Sequence, residues 1–385
     1  MNSSPRAYLD FNASAPLRPE ARAAMLAALA LSGNASSIHA EGRAARGVIE
    51  AARRDVANLV GAAPAAVVFT SGGTEAANMA LARGPNYGGL ILGAGEHLCV
   101  LQGHRFGADQ TRIAPLGADG RLDLAALQDL LRQSVGGAPL VAVQGANNET
   151  GVIQPVTETA AMVHEAGGRL VCDAVQLAGR APIALAELGA DMIFISAHKL
   201  GGPKGVGALI AARAENLPPA FHRGGGQERG ARAGTENVAG IAGFAAAALA
   251  ARAQMAQESA RLCALRDAAE RLVLNIAPDA VIFGAMAARV PNTLNFAIPG
   301  VAAQILLIAL DLAGVAVSSG SACSSGKVGA SHVLAAMGVA PELSQGAIRV
   351  SLGWSSNANE IEMFGVALGS ALAALKRRRG FNIEP

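Results

Sequence analysis

Lysine is nearly missing from this chain. Of 31 basic residues only four are lysines, Lys199, Lys204, Lys327 and Lys376, leaving 31 − 4 = 27 arginines. Where Arg can serve as the charge, Arg is used, so the four amines ask for a reason that a guanidinium does not meet. Aromatic residues are also few, at 3% of 385 residues. That weakens any stacking platform for single-stranded nucleic acid. Charged residues make up only 16%, against roughly 25% in an ordinary domain. With 29 acidic residues against 31 basic ones, the formal net charge is +2. This near-neutral balance argues against a basic surface that neutralises a phosphate backbone, so no nucleic-acid partner is expected.

Other absences narrow the class further. The four cysteines, Cys99, Cys172, Cys263 and Cys323, form no C-x-x-C pair, and the seven histidines form no H-E-x-x-H pattern. A disulfide framework and a paired-spacing metal site are therefore not expected. The chain opens without a charged segment followed by an apolar one, so no signal peptide is read. The apolar stretch from Ala239 to Ala251 stops at Arg252, and that from Val301 to Val317 is interrupted by Gln304 and Asp311. Neither reaches the roughly 18 apolar residues of a spanning helix. The expectation is a cytoplasmic protein with reduced thiols, no membrane partner and no metal.

What is present is a large apolar complement, 51% of the chain, and a length above the roughly 100–200 residues of one domain. Helical and strand patterns alternate through the first two hundred residues. Val48, Ile49, Ala52, Val56, Leu59 and Val60 form a helical stripe. Ala66–Thr70, Leu90–Leu92, Leu140–Val143, Leu170–Cys172 and Met192–Ile195 read as short buried strands. Such alternation predicts an α/β fold with a largely parallel sheet and crossover helices. An Ala-rich helix is expected from Thr235 past Leu262. Beyond it, strand pieces at Val281–Phe283, Thr293–Phe296 and Ile348–Leu352 mix with helices. A change of domain is placed near residue 258.

Lys199 follows the strand candidate ending at Ile195, where open α/β sheets bind ligands. A lysine amine forms a Schiff base with an aldehyde, which a guanidinium does not do usefully. Asp173 closes another strand candidate 26 residues earlier. An Asp there suits a pyridinium nitrogen, the usual companion of a lysine holding pyridoxal phosphate. Alone, Lys199 also fits a structural lysine and Asp173 a helix cap. Ser71-Gly72-Gly73-Thr74 stands between strand and helix patterns and fits either a phosphate cup or a plain connector. Ser196 and His198 could add donors to it. Cys323 lies in Ser318-Ser319-Gly320-Ser321-Ala322-Cys323-Ser324-Ser325-Gly326, a run of small polar residues. It reads as a solvent-reachable thiol with a function, whereas Cys99 and Cys172 sit in apolar runs and read as structural.

Taken together these motifs resemble the cysteine desulfurases, class V aminotransferase-like enzymes of fold type I. The likeness runs from Tyr8-Leu9-Asp10-Phe11-Asn12 to Ala347-Ile348-Arg349-Val350-Ser351-Leu352-Gly353. It passes through Gly33–His39, Thr70–Glu75, Glu96-His97, Asn147-Asn148-Glu149-Thr150-Gly151 and Gly224–Gly230. The stretch around Cys323 matches the branch with a long, mobile cysteine loop. The resemblance implies a large mainly parallel sheet domain, residues 15–257, that binds pyridoxal 5'-phosphate. A smaller α+β domain, 1–14 with 258–385, would carry the cysteine loop and a carboxylate-binding arginine.

The resemblance also implies roles. Lys199 would carry the cofactor, Asp173 would pair with its ring nitrogen, and Gln176 would bond its phenolic oxygen. His97 would stack on the ring and assist proton transfers. Gly73, Thr74, Ser196 and His198 would hold the phosphate, with Thr235 reaching that of a partner subunit in a homodimer. Asn148 and Arg349 would hold the carboxylate of the substrate, L-cysteine. Cys323 would take its sulfur as a persulfide, and a sulfur-acceptor or scaffold protein would receive it for iron–sulfur cluster assembly or a related use. The same fold also serves aminotransferases, which do not need Cys323, and selenocysteine lyases. A catalytically silent sulfur carrier would not need Lys199, Asp173 and His97. Two departures from the family pattern stand out. Ala35 replaces the usual proline of Gly-Asn-Pro-Ser, and Cys172 replaces the valine of His-Val-Asp.

Overall fold

The computed structural model describes residues 6–83, 87–134, 137–319 and 330–380. After a short strand β1 (Ala7–Tyr8), helices α1 (Pro19–Leu29) and α2 (Ala40–Leu59) lead to the main sheet. The sheet is built by β2 (Val67–Thr70), β3 (Tyr87–Gly93), β4 (Thr111–Ala114), β5 (Ala138–Gln144), β6 (Arg169–Asp173), β7 (Met192–Ser196) and β8 (Gly207–Ala211). Helices α3 (Gly73–Ala80), α4 (Leu98–Leu101), α5 (Leu124–Arg132), α6 (Val156–Glu165) and α7 (Leu185–Leu188) lie between these strands in sequence. The seven strands are ordered β2-β8-β7-β6-β5-β3-β4. Every neighbouring pair is parallel except the two made by β8. The expected mainly parallel α/β sheet is therefore what the chain forms.

Burial on both faces explains why these strands read as unbroken apolar runs. Side chains alternate across a strand, so a sheet covered twice needs apolar residues at every position. In β7, Ile193 and Ile195 enter the core shared with α2 and α8 (Val238–Ile276), while Met192 and Phe194 enter the opposite one. Sequence pattern misses two strands of this sheet. β4 is a partly exposed edge with Thr111-Arg112 at its start, and β8 opens with Gly207-Ala208 behind a glycine-rich segment.

The 39-residue helix α8 is about 58 Å long at 1.5 Å per residue. It starts at Val238 rather than Thr235, because Asn237 caps it by accepting from the Gly240 N–H at 2.9 Å. Its first half packs Ile241, Phe244, Ala247 and Ala248 on the main-sheet core. Its second half gives Leu262, Ala269 and Val273 to a separate core. That second core also holds Leu294 and Phe296 of β10 (Thr293–Ala297), which pairs with β9 (Val281–Ile282). Further contributors are α9 (Ala303–Leu312) and β11 (Val315–Ala316), which pairs with β1. A four-stranded antiparallel sheet is completed by β12 (Ser318–Ser319) and β13 (Ile348–Ser351). Helices α10 (His332–Ala336), α11 (Pro341–Ser344) and α12 (Ala358–Gly380) follow. Both α8 and α12 are long and apolar enough, by length and composition, to cross a membrane, which the broken apolar runs do not suggest. Each gives its apolar side chains to these cores.

Candidate active site

Parallel strands end on one edge of a sheet, and that edge is where this chain gathers its chemistry. Thr70, Gln144, Asp173 and Ser196 each close a strand. A cavity of about 340 Å³ lies beside three of them, and Gln144, Asp173 and Ser196 line it. The fold also brings Gly73, Thr74, His97, Asn148, Gln176, His198, Lys199 and Arg349 to its wall. Two residues singled out in the sequence are not brought there. Thr235 is exposed on another cavity, with Ser71, Glu228 and Arg232. Cys323 lies outside the described residues.

Lys199 sits on a single helical turn directly after β7. Its Nζ donates to the carbonyls of Asn12 at 2.6 Å and Ala13 at 2.8 Å. Asp173 is 8% exposed, and its Oδ1 accepts from the Val175 N–H at 2.9 Å. Burial pushes this carboxyl up to about 6, against the opposing pull of that backbone bond and of Lys199. Its neighbour Glu96 is buried too, and Glu96 Oε1 accepts from the Gln144 N–H at 2.6 Å. Burial, with the Asp173 charge, drives the Glu96 carboxyl well above the usual range.

His97 caps the one-turn helix α4, its Nδ1 accepting from the Cys99 N–H at 3.1 Å. A backbone N–H only donates, so this ring nitrogen carries no proton and the neutral tautomer is Nε2–H. Burial, followed by the charges of Lys199 and His332, holds the ring down to about 4. His198 is also held to about 4, by burial first and then by Lys199, Lys204 and Arg180. Gln176 donates Nε2 to the Asn12 carbonyl at 3.2 Å, and its buried Oε1 has no partner.

Arg349, on β13, enters the same cavity from the second core. Its side chain is 3% exposed. Nη2 pairs with Asp10 Oδ1 at 2.9 Å, Nη1 donates to the Asn148 carbonyl at 3.0 Å, and Nε is buried without a partner. The cavity thus joins one cationic fork, a buried carboxyl, a neutral imidazole and an amine.

The glycine at the start of α3 keeps this wall open. A Cβ on Gly73 would lie 3.5 Å from that of Ser196. Behind it the packing is closer. A Cβ on Gly207 would lie 2.7 Å from the Gly72 carbonyl carbon, so the turn between β2 and α3 seats against β8 only because residue 207 has no side chain.

Sequence reading missed several members of this site. Asn12 and Ala13 act through backbone carbonyls, which leave no residue-type signal. Cys99 read as structural, yet it lines the cavity, because α4 is one turn and not a strand. Cys172, by contrast, is fully buried.

Comparison with known proteins agrees with this geometry. The aminotransferase class-V family profile matches residues 7–364. The cysteine desulfurase IscS of Dictyoglomus turgidum is 42% identical over 356 residues, covering 90% of this chain and 89% of that protein. A cysteine desulfurase of Cereibacter sphaeroides is 40% identical over 390 residues, covering 98% and 99%. The crystal structure of a NifS-like protein from Rickettsia africae superposes with a TM-score of 0.88 at 33% identity, covering 96% of this chain and all 100% of that one. With this cavity and this likeness along nearly its whole length, the chain belongs to the class-V aminotransferase family, among its cysteine desulfurases.

Proposed function

We propose that the cavity holds pyridoxal 5'-phosphate and converts L-cysteine to L-alanine, passing the sulfur to Cys323. The observation that carries this reading is the meeting of Lys199, Asp173, His97 and Arg349 in one cavity. Its donor set fits the cofactor's three demands. Lys199 offers an amine for the aldehyde, and Asp173 offers a buried carboxylate for the ring nitrogen. Thr74, Ser196 and His198, beside the start of α3, offer donors for the phosphate. The unpartnered Oε1 of Gln176 also shows that side chain unsatisfied by the protein alone.

Bound there, the cofactor supplies an electron sink at the substrate's α-carbon. Arg349 binds the substrate carboxylate with the fork it presents between Asp10 and Asn148. Lys199 Nζ takes the α-proton, and His97 donates from Nε2. The Cys323 thiolate attacks the substrate sulfur. The carbon–sulfur bond breaks, a sulfur–sulfur bond forms, and the β-carbon gains a proton to give alanine. No oxidant is needed. The persulfide then passes to an acceptor or scaffold protein serving iron–sulfur clusters or a related sulfur need.

The reading includes a cytoplasmic homodimer in which Thr235 serves the partner's phosphate. Its exposed place outside its own chain's cavity supports that role. It also includes a large unit of residues 15–257 and a small unit of 1–14 with 258–385, supported by the hand-over of α8 from one core to the other.

The test uses purified protein supplied with pyridoxal phosphate. It should turn yellow and release alanine and sulfide from cysteine. Lys199→Arg should abolish both the colour and the turnover. Cys323→Ser should keep the colour but lose the persulfide. A colourless wild type overturns the cofactor reading, and undiminished sulfide from Cys323→Ser overturns the nucleophile.

A further inference from the structure

A second cavity, of about 460 Å³, lies beside the second half of α8. Three arginines from separate parts of the chain line it. Arg180 follows β6, Arg266 is on α8, and Arg289 stands between β9 and β10. Two carboxylates answer them: Glu270 pairs with Arg289 Nη2 at 2.8 Å, and Asp267 with Arg266 Nη2 at 2.7 Å. Arg180 bonds a backbone carbonyl and pairs with no carboxylate among the described residues. Three guanidinium charges against two carboxylates leave the wall with one positive charge in excess.

The Arg289 side chain is only 8% exposed, and its Nη1 is buried with no hydrogen-bond partner. A buried donor left without a partner is costly, more so on a charged group. Arg289 also lines the cavity, so a small turn of its guanidinium would present this edge to an oxyanion there, which it matches with two parallel bonds. We propose that this cavity is a binding site for a small molecule bearing an oxyanion, phosphate or carboxylate, distinct from the catalytic cavity.

Arg180 links the two sites. It is 8% exposed, and it also lines a narrow third cavity together with Lys199. Burial and the Arg349 charge lower its pKa to about 10, and its own charge lowers that of His198. An anion beside Arg180 would offset part of this field, so occupancy should weaken the hold on the substrate carboxylate. By linkage, that substrate should weaken the anion equally.

The experiment is calorimetric titration of the cofactor-loaded enzyme with inorganic phosphate and, separately, with citrate, at fixed ionic strength against chloride. One site per chain is expected for at least one of the two ions. Whichever ion binds tells whether the ligand is a phosphate or a carboxylate. Arg289→Met and Arg266→Met should each lower the affinity at least tenfold while leaving kcat and KM for cysteine, measured without added anion, within twofold of wild type. Arg289→Lys keeps the charge beside Glu270 and guards against loss of folding; it should also bind at least several-fold more weakly. Binding no stronger than chloride, or affinity unchanged in all three variants, overturns the proposal.

Discussion

Ser331 Oγ donates a 2.5 Å hydrogen bond to Glu149 Oε2, and both residues are buried. Ser331 also caps α10, accepting from the Leu334 N–H at 3.0 Å. Glu149 directly follows Asn148, whose carbonyl holds Arg349. One bond therefore ties α10 to the turn that supports Arg349.

The burial of Glu149 sets a pH dependence. Burial raises the Glu149 carboxyl from 4.5 to about 7, against the pull of Ser331 and Arg349. The folded state thus binds this proton more tightly than the unfolded state does. Its contribution to stability is fully present below pH 4.5 and is lost as pH rises through about 7. Glu149→Gln removes that loss. The difference in Tm, variant minus wild type, should grow from pH 5 to pH 8. Thermal melts across that range check it, and a constant difference would sink the assignment.

The two cavity histidines act in the opposite direction. His97 and His198 have pKa values lowered from 6.5 to about 4. Their neutral forms contribute stability above 6.5, and it is lost as pH falls through 4. In the apo protein, the imidazole C–H resonance of His97 should move only below about pH 5. His97→Gln should lower kcat by roughly 100- to 10,000-fold, the usual share of a positioned acid or base. Turnover unchanged in that variant would remove His97 from the chemistry.

Arg349→Lys keeps a charge but loses the fork. Hydrogen bonds to charged groups contribute about 1.5–3 kcal/mol, or roughly tenfold for each 1.4 kcal/mol. KM for cysteine should rise at least about tenfold, with the cofactor's absorbance retained. Steady-state kinetics and a visible spectrum on one preparation decide it.

Two glycines separate cofactor binding from folding. In Gly73→Ala the new Cβ meets Val175 and Ser196 at ordinary contact distances of 3.4 and 3.5 Å. The apo Tm should stay near wild type while affinity for pyridoxal phosphate falls. In Gly207→Ala the Cβ would press on the Gly72 backbone at 2.7 Å. Both Tm and cofactor affinity should fall. Equal losses in the two variants would contradict this packing.

Arg53 and Glu228 form a buried bidentate pair at 2.6 and 2.8 Å. Glu228 also accepts from the Phe69 N–H at 2.9 Å. Glu228 and Arg229 both adopt left-handed backbone, at φ 48° and 57°, a strain that the pair helps to hold. Arg53→Met leaves the carboxylate buried and unpaired. It should cost about 3–5 kcal/mol in urea denaturation.

How far the sequence could be read depended on what kind of atom does the work. Lys199 and Asp173 were legible because their chemistry resides in the residue type and they stand at strand ends, whereas His97 and Arg349 were legible only through the family resemblance of their motifs. The carbonyls of Asn12 and Ala13 that bind Lys199 were not, since every residue has a carbonyl. Asp10 lay inside a recognised motif, but its partner Arg349 is 339 residues away. Cys99 misled because an apolar run looks alike in a core strand and in a single exposed-edged turn.

By itself the sequence determined the layers of the fold and the reagents of the site. Unbroken apolar runs mark the strands buried on both faces and apolar periodicity marks the buried face of a helix, and the proposed chemistry needs the amine of Lys199 and the carboxylate of Asp173. Tertiary structure alone decided which distant residues meet and what charge each carries. Proximity between β6 and β7 comes from sheet order, β13 of the other sheet is brought to them through Arg349's bonds to Asp10 and Asn148, and burial comes from the packing around the cavity. That packing is what surrounds Lys199, at its strand end, with a raised carboxyl, two neutral imidazoles and a tethered arginine.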